Sequence, residues 1–272
     1  MILRETLKTI FHGFCIGIAN IIPGISGGTL AVILGIYEKL ITSIYSVFTF
    51  SFKEISKNLG FLIKIGIGVL LGVASFSKFL EYALTAFPQP VFMFFFGLIL
   101  GSIPIVFKLS KINKIHWPEA IGGIITLCSM IALFFVTPSS TVSNTTPGIL
   151  FFGVSGFIAA GTMVIPGISG SLILLYLGAY KPIVHAISSF NLPIIGAVGI
   201  GAICGILFFS SFIHWLFKKY HNIAYMSVIG FLAGSLLKLW PGINMNISSL
   251  ISVCLGISGY FIATLLQKST TR

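Results

Sequence analysis

Long apolar stretches dominate the chain, and few polar positions lie between them. Runs over 59–86, 90–107, 118–137, 194–217, 223–240 and 248–266 each approach or exceed the roughly 20 residues that carry a helix across about 30 Å of hydrocarbon. Two other regions are interrupted. Residues 9–22 and 148–165 are apolar but short, each stops at a Pro-Gly pair, and a second apolar run follows at 28–48 and at 171–187. About 14 residues at 1.5 Å each reach only about 21 Å. The pattern predicts half-helices of re-entrant hairpins, because broken backbone at membrane depth needs cover from neighbouring protein. Two full spans joined by a surface turn are the alternative.

The chain also repeats itself. IIPGISGGTLAVILGIY (21–37) matches VIPGISGSLILLYLGAY (164–180), 143 residues further on. At a spacing of 133, Gly66, Gly68, Gly72, Gly97, Gly101 and Ser102 match Gly199, Gly201, Gly205, Gly230, Gly234 and Ser235. The matches fall on Gly, Pro and Ser, not on the abundant Ile, Leu and Phe, so chance pairing of apolar runs is a poor account of them. The spacing changes in the loop 48–58, where an insertion costs little. The expected architecture is an all-α polytopic membrane protein with one transmembrane domain over 1–272. Repeat one covers 5–137 and repeat two covers 148–267, each a re-entrant helical hairpin plus three transmembrane helices. Three is odd, so the second repeat enters the membrane upside down, the inverted-repeat plan of many secondary transporters.

Composition narrows the class. Apolar residues make up 56% and charged residues 8% of 272, with 26 Phe and no Asp, against about 25% charged residues in a soluble domain. A water-soluble enzyme, a disordered tail and a nucleic-acid module are excluded. The net charge of +11 reads as the cationic fringe of membrane spans. With the N-terminus inside, the cytoplasmic face holds Arg4, Lys8, Lys39, Lys53, Lys57, Lys64, Lys108, Lys111, Lys114, Lys218, Lys219, Lys268 and Arg272. The outer face holds Lys78, Lys181 and Lys238, and the uncharged loops 137–148 and 241–246 fall outside. That bias sets the orientation and puts both termini in the cytoplasm. Arg4 and Lys8 ahead of an apolar run resemble a signal peptide, but no small-residue cleavage site follows, so the segment is read as part of the mature protein. Cys15, Cys128, Cys204 and Cys254 sit in apolar stretches without CxxC spacing and read as small buried hydrophobes.

The chemistry concentrates in the doubled motif. In Asn20-Ile-Ile-Pro23-Gly24-Ile25-Ser26-Gly27-Gly28-Thr29 the proline ends the first half-helix and the glycines allow tight backbone turns. The helix that restarts near Gly28 presents free N–H groups and a positive dipole end, an anion site. Ser26 and Thr29 add hydroxyls, and Asn20 an amide. The second copy offers Gly167, Ser169, Gly170 and Ser171. Two such loops meeting at the midplane can cradle one phosphate or carboxylate group. Packing alone is the competing reading for the glycines, above all for those at 66, 68, 72, 199, 201 and 205.

Secondary candidates are Lys39 and Lys181, just after Tyr37 and Tyr180 in the two copies, as attractors of an approaching anion; snorkelling is the plainer alternative. Glu38, Glu81 and Glu119 lie near predicted membrane edges. His12, His185 and His214 are isolated, no metal constellation is present, and no cofactor is called for. The Phe run at 92–96 reads as lipid-facing bulk.

The paired segments 17–41 and 163–184 resemble those of the PopT-type polyprenyl-phosphate transporter family of bacteria, long catalogued as a membrane domain of unknown function. The resemblance covers essentially the whole chain. It implies a protein of the bacterial cytoplasmic membrane that returns undecaprenyl phosphate, the lipid carrier of cell-envelope sugar polymers, from the outer to the inner leaflet. Asn20 and Lys181 depart from the family pattern, in which acidic residues are common at both positions. An ion-coupled transporter of a small soluble anion shares the repeat and the helix-end site and is the second functional reading. Hydrolysis needs a nucleophile with a base, or a metal cluster, and the motif serines have neither nearby in sequence, so an enzyme is not expected.

Overall fold

A computed structural model describes residues 2–22, 25–48, 52–110, 112, 114–135, 148–242 and 247–268. Among them are twelve helices and no strand: α1 (Ile2–Ile21), α2 (Gly27–Ile33), α3 (Tyr37–Phe48), α4 (Phe52–Ala86), α5 (Pro88–Leu109), α6 (Trp117–Phe135), α7 (Ile149–Met163), α8 (Gly170–Tyr176), α9 (Tyr180–Ser188), α10 (Leu192–Lys219), α11 (His221–Leu239) and α12 (Ile247–Lys268). Five are long and apolar enough to cross a membrane: Lys53–Ala86, Pro88–Leu109, Leu192–Lys219, His221–Leu239 and Ser249–Leu266. Trp117–Leu133 and Ile149–Met163 are shorter apolar helices. The chain is a polytopic membrane protein. Pro23, Gly24, most of the loop 137–148 and the loop 243–246 lie outside the described residues.

The faces of these helices are sorted for lipid. Large apolar side chains such as Leu70, Ile200 and Leu250 point outward, where hydrocarbon is as good a solvent as the interior. The same logic corrects two expectations. Cys128, Cys204 and Cys254 are exposed on the outer helix surfaces, and Cys15 is half-buried. The 92–96 run is not bulk against lipid: Phe95 is buried, and Phe92, Phe94 and Phe96 pack against the core. An apolar residue has no preference between lipid and core, so its position along a helix face decides.

Helices pack through small residues. α1 lies on α4, α7 on α10, α5 on α12 and α6 on α11. A methyl on Gly68 or Gly72 would overlap the backbone of α1 at Ile10 and Phe14, and one on Gly201 or Gly205 would overlap α7 at Gly153 and Phe157. A methyl on Gly97 would strike the Gly256 carbonyl, and one on Gly230 the Gly123 carbonyl. These contacts correspond one to one under the spacings of 143 and 133. Gly66 and Gly199 differ from the other matched glycines, since a methyl there meets nothing within 4 Å.

The second run of each motif is not one helix. α2 and α8 each last 7 residues and end at glycines in the left-handed region, Gly35 (φ 68°) and Gly178 (φ 70°). The next residue turns back: Ile36 N–H donates to Ala31 O and Ala179 N–H to Leu174 O, both at 2.9 Å. This is the glycine-terminated helix end that releases the chain in a new direction. α8 and α9 meet at 109°. The two copies differ in their surroundings. Every residue of α2 is buried, whereas in α8 only Gly170 is.

Candidate functional site

The two motifs meet inside the molecule. α1 ends at Ile21, and Ser26 is the N-cap of α2, its Oγ accepting the Gly28 N–H at 3.1 Å. The Ser26 hydroxyl proton faces the other motif, with Ile165 O at 3.2 Å and Met163 O at 3.4 Å. Tyr37 OH donates to Val164 O at 3.0 Å. Three consecutive carbonyls at and just past the end of α7, where a helix leaves such groups short of partners, thus face side chains from the first half. Thr29 completes the joint, its Oγ1 accepting the Gly167 N–H at 2.7 Å. Gly167 has φ 85°, a conformation that side chains resist.

Ser26 and Thr29 are therefore committed. Both are buried, Thr29 completely, and their hydroxyls tie one motif to the other. Asn20 is half committed. Its Oδ1 accepts the Gly27 N–H at 2.8 Å, which leaves its amide N–H groups as donors. Gly27 and Gly28 are buried at the start of α2, and a side chain on Gly27 would collide with Asn20.

The second motif is less committed. Ser169 and Ser171 share a hydrogen bond at 2.8 Å. Ser169 sits at the N-cap of α8 without capping it through its side chain, so the first N–H groups of that helix carry no cap. Gly170 lets the turn approach α7, since a methyl there would meet Ala159 O at 2.7 Å.

Between the motifs lies a cavity of about 240 Å³. Asn20, Ser26, Ser169, Gly170 and Ser171 form its polar side, and Gly156, Ala159, Ala160, Val198 and Ala202 of α7 and α10 are among its apolar lining. Among the described residues no charged side chain lines it. The arrangement offers an amide, hydroxyls and backbone N–H groups to a small anion beside a wall of small apolar residues. No group of three or more His, Cys, Asp or Glu among the described residues could hold a metal ion.

The secondary candidates lie elsewhere. Lys39 places its ammonium 4.5 Å from the centre of the Phe61 ring, and Lys181 is exposed. Tyr37 is buried as a strut, whereas Tyr180 is 40% exposed. Neither lysine and neither tyrosine lines the cavity. The α7 wall was not foreseen. Its signal was present in sequence, because Gly156, Ala159, Ala160 and Met163 recur at the three- and four-residue spacing of one helix face.

A cytoplasm-side cluster by the expected topology was also not foreseen as one unit. Thr42 Oγ1 and His214 Nδ1 are 3.2 Å apart, the imidazole stacks on Tyr45 at 4.3 Å, and Tyr225 OH donates to Glu38 Oε2 at 3.4 Å. These contacts fasten α3 to α10 and α11.

The family model of undecaprenyl phosphate translocase-like proteins matches residues 16–252. A polyprenyl-phosphate transporter of Vibrio cholerae is 33% identical over 249 residues, 86% of this chain and 78% of that protein. Another polyprenyl-phosphate transporter, of Staphylococcus aureus, is 33% identical over 274 aligned positions, 96% of each chain. No solved structure matches the chain. With the doubled motif joined around one cavity and the match running over most of its length, this chain belongs to the undecaprenyl phosphate translocase-like family.

Proposed function

We propose that this protein carries polyprenyl phosphate, undecaprenyl phosphate in particular, from the outer to the inner leaflet of the bacterial cytoplasmic membrane, with both termini in the cytoplasm. The two halves, 5–137 and 148–267, are inverted repeats within one transmembrane domain, each with a re-entrant hairpin closed by its PGISG motif. The phosphate head group rests in the cavity between the motifs while the prenyl tail stays in lipid.

The observation that carries this reading is the lining of that cavity. A phosphomonoester is negatively charged, and moving it through bare hydrocarbon costs several kcal/mol or more. The Asn20 amide, the Ser169 and Ser171 hydroxyls and the uncapped start of α8 replace lost water contacts. Among the described residues no lysine or arginine lines the cavity, so no fixed cation there holds the anion tightly, and a carrier must release what it grips. The small apolar residues of α7 and α10 suit a lipid stem better than the polar vestibule a freely soluble anion needs. The site acts by binding and moving a group, which agrees with relatives named as transporters.

The test is a reconstituted vesicle assay that follows movement of a labelled polyprenyl phosphate head group between leaflets. Ser169→Ala with Ser171→Ala lowers the rate roughly tenfold or more, the loss of two hydrogen bonds to a charged group, and Ser171→Phe abolishes it. Unaltered movement in these variants refutes the cavity as the head-group site. Uptake of inorganic phosphate into the same vesicles, with no movement of lipid, would favour the soluble-anion reading.

A further inference from the structure

The matched halves are caught in different arrangements. In the first half, α2 is wholly buried, Tyr37 reaches Val164 O, and Thr42 meets His214 of α10. In the second half, α8 is only partly covered, with Gly170 buried, Ser171 and Leu175 exposed and the rest half-buried, and Tyr180 is exposed. Among the described residues the Tyr180 hydroxyl has no hydrogen-bond partner, and His185 and Glu81 are both exposed.

The repeat spacings convert each observed contact into its counterpart. Ser26 and Tyr37 correspond to Ser169 and Tyr180, and the carbonyls of Met163, Val164 and Ile165 correspond to those of Asn20, Ile21 and Ile22. Thr42 corresponds to His185, and His214 to Glu81. The mirrored contacts are chemically sound. Ser169 and Tyr180 are donors, the end of α1 offers carbonyls in need of them, and an imidazole beside a carboxylate is a better pair than a hydroxyl beside an imidazole. Not every counterpart survives: Leu172 stands where Thr29 does and cannot accept from the first motif's backbone, Ser188 stands where Tyr45 stacks on His214, and Lys181 and Phe92 stand where Glu38 and Tyr225 pair.

We propose that Tyr180, His185 and Glu81 form the closing contacts of the opposite gate. In a second state the α8–α9 leg docks as α2–α3 docks here, Tyr180 OH donates to Ile21 O, and His185 pairs with Glu81 of α4. Tyr37 and Tyr180 then act as alternating struts, one bonded while the other is free. This rests on the inverted-repeat transporter reading above. The missing counterparts of Thr29, Tyr45 and the Glu38–Tyr225 bond leave the second gate with fewer contacts, so the state seen here is the more populated one in the absence of lipid.

The experiment uses the full chain in membranes, with Cys15, Cys128, Cys204 and Cys254 replaced by alanine. Two cysteine pairs are introduced together, Thr42→Cys with His214→Cys and Glu81→Cys with His185→Cys, and a short bifunctional thiol reagent is applied. The first pair, in contact in this structure, reports correct folding. Both pairs are expected to cross-link, but in different molecules, and closing the first suppresses the second. Tyr180→Phe lowers the 81–185 yield roughly two- to tenfold, the effect of one lost hydrogen bond on a two-state balance, and Tyr37→Phe raises it. The proposal is overturned if the first pair closes and the second never rises above single-cysteine controls, if both close in the same molecule, or if Tyr180→Phe changes nothing. Head-group movement measured on cysteine-free vesicles separates the two ideas. Alternating cross-links without lipid movement retain the gate and remove the substrate, whereas lipid movement without the 81–185 link does the reverse.

Discussion

Thr29 shows how much one side chain does at the joint. It is fully buried and accepts the Gly167 N–H at 2.7 Å. Replacing it by valine keeps the shape and removes the acceptor, so a buried backbone donor is left unpaired at a cost of about 1–3 kcal/mol. Thr29→Val is expected to lower the thermal midpoint in detergent by several degrees, and Thr29→Ser to restore most of the loss. Equal midpoints for all three proteins would show that the bond contributes nothing. The motif residues were legible in sequence as a set, but their division of labour was not. Ser26 and Ser169 occupy matching places, yet one spans the gap between motifs and the other bonds Ser171. Part of the difference is written in the chain, since Ser171 stands where the first copy has Gly28 and only the second copy offers Ser169 a hydroxyl there. Lys39 and Lys181 stand outside the cavity lining, since adjacency to a motif in the chain does not aim a side chain into its cavity.

Helices are held together here by what glycine omits. Gly97 and Gly230 let α5 reach α12 and α11 reach α6 at backbone contact. In a bilayer such close approach supplies much of the attraction between helices, because lipid tails are as apolar as the side chains they would replace. Gly97→Ala or Gly230→Ala forces the pair apart and costs about 1–3 kcal/mol. Gly66→Ala and Gly199→Ala meet open space and add helix propensity, so they hold or raise stability. Thermal unfolding of the four variants in one detergent checks the ordering. The sequence marked all these positions alike, since a match between halves does not say what faces the glycine. It likewise carried α2 into α3 and α8 into α9 as single runs, because the apolar pattern crosses Gly35 and Gly178 without a break. The Gly-x-Tyr shared by both copies was the available sign of a helix end there.

At the scale of the molecule the halves do not stand side by side. α5 and α6 of the first pack on α12 and α11 of the second, and the Ser26, Thr29 and Tyr37 bonds all cross between them. The larger buried core draws on both halves, and only a small cluster around Phe152, Ala179 and Ile183 lies within the second alone. Expressed alone, residues 1–140 or 141–272 are expected to be degraded, whereas the two fragments made together assemble and co-purify. Stable accumulation of either fragment by itself would contradict this. The all-helical, membrane-spanning class was readable beforehand, because span length is a local signal, although the expected span over 118–137 is a shorter apolar helix, Trp117–Leu133. The crossed partnership was not, since a repeat fixes which helices correspond and leaves open which of them touch.

That crossing sets an order of events during synthesis. When the ribosome has delivered α5 and α6, the helices that fill their glycine-lined grooves have not yet been made, and acyl chains must occupy those grooves in the meantime. The groove of α5 is filled only when α12 displaces them, so a chain that stalls or terminates before α12 leaves α5 without its mate, a recognisable substrate for membrane quality-control proteases.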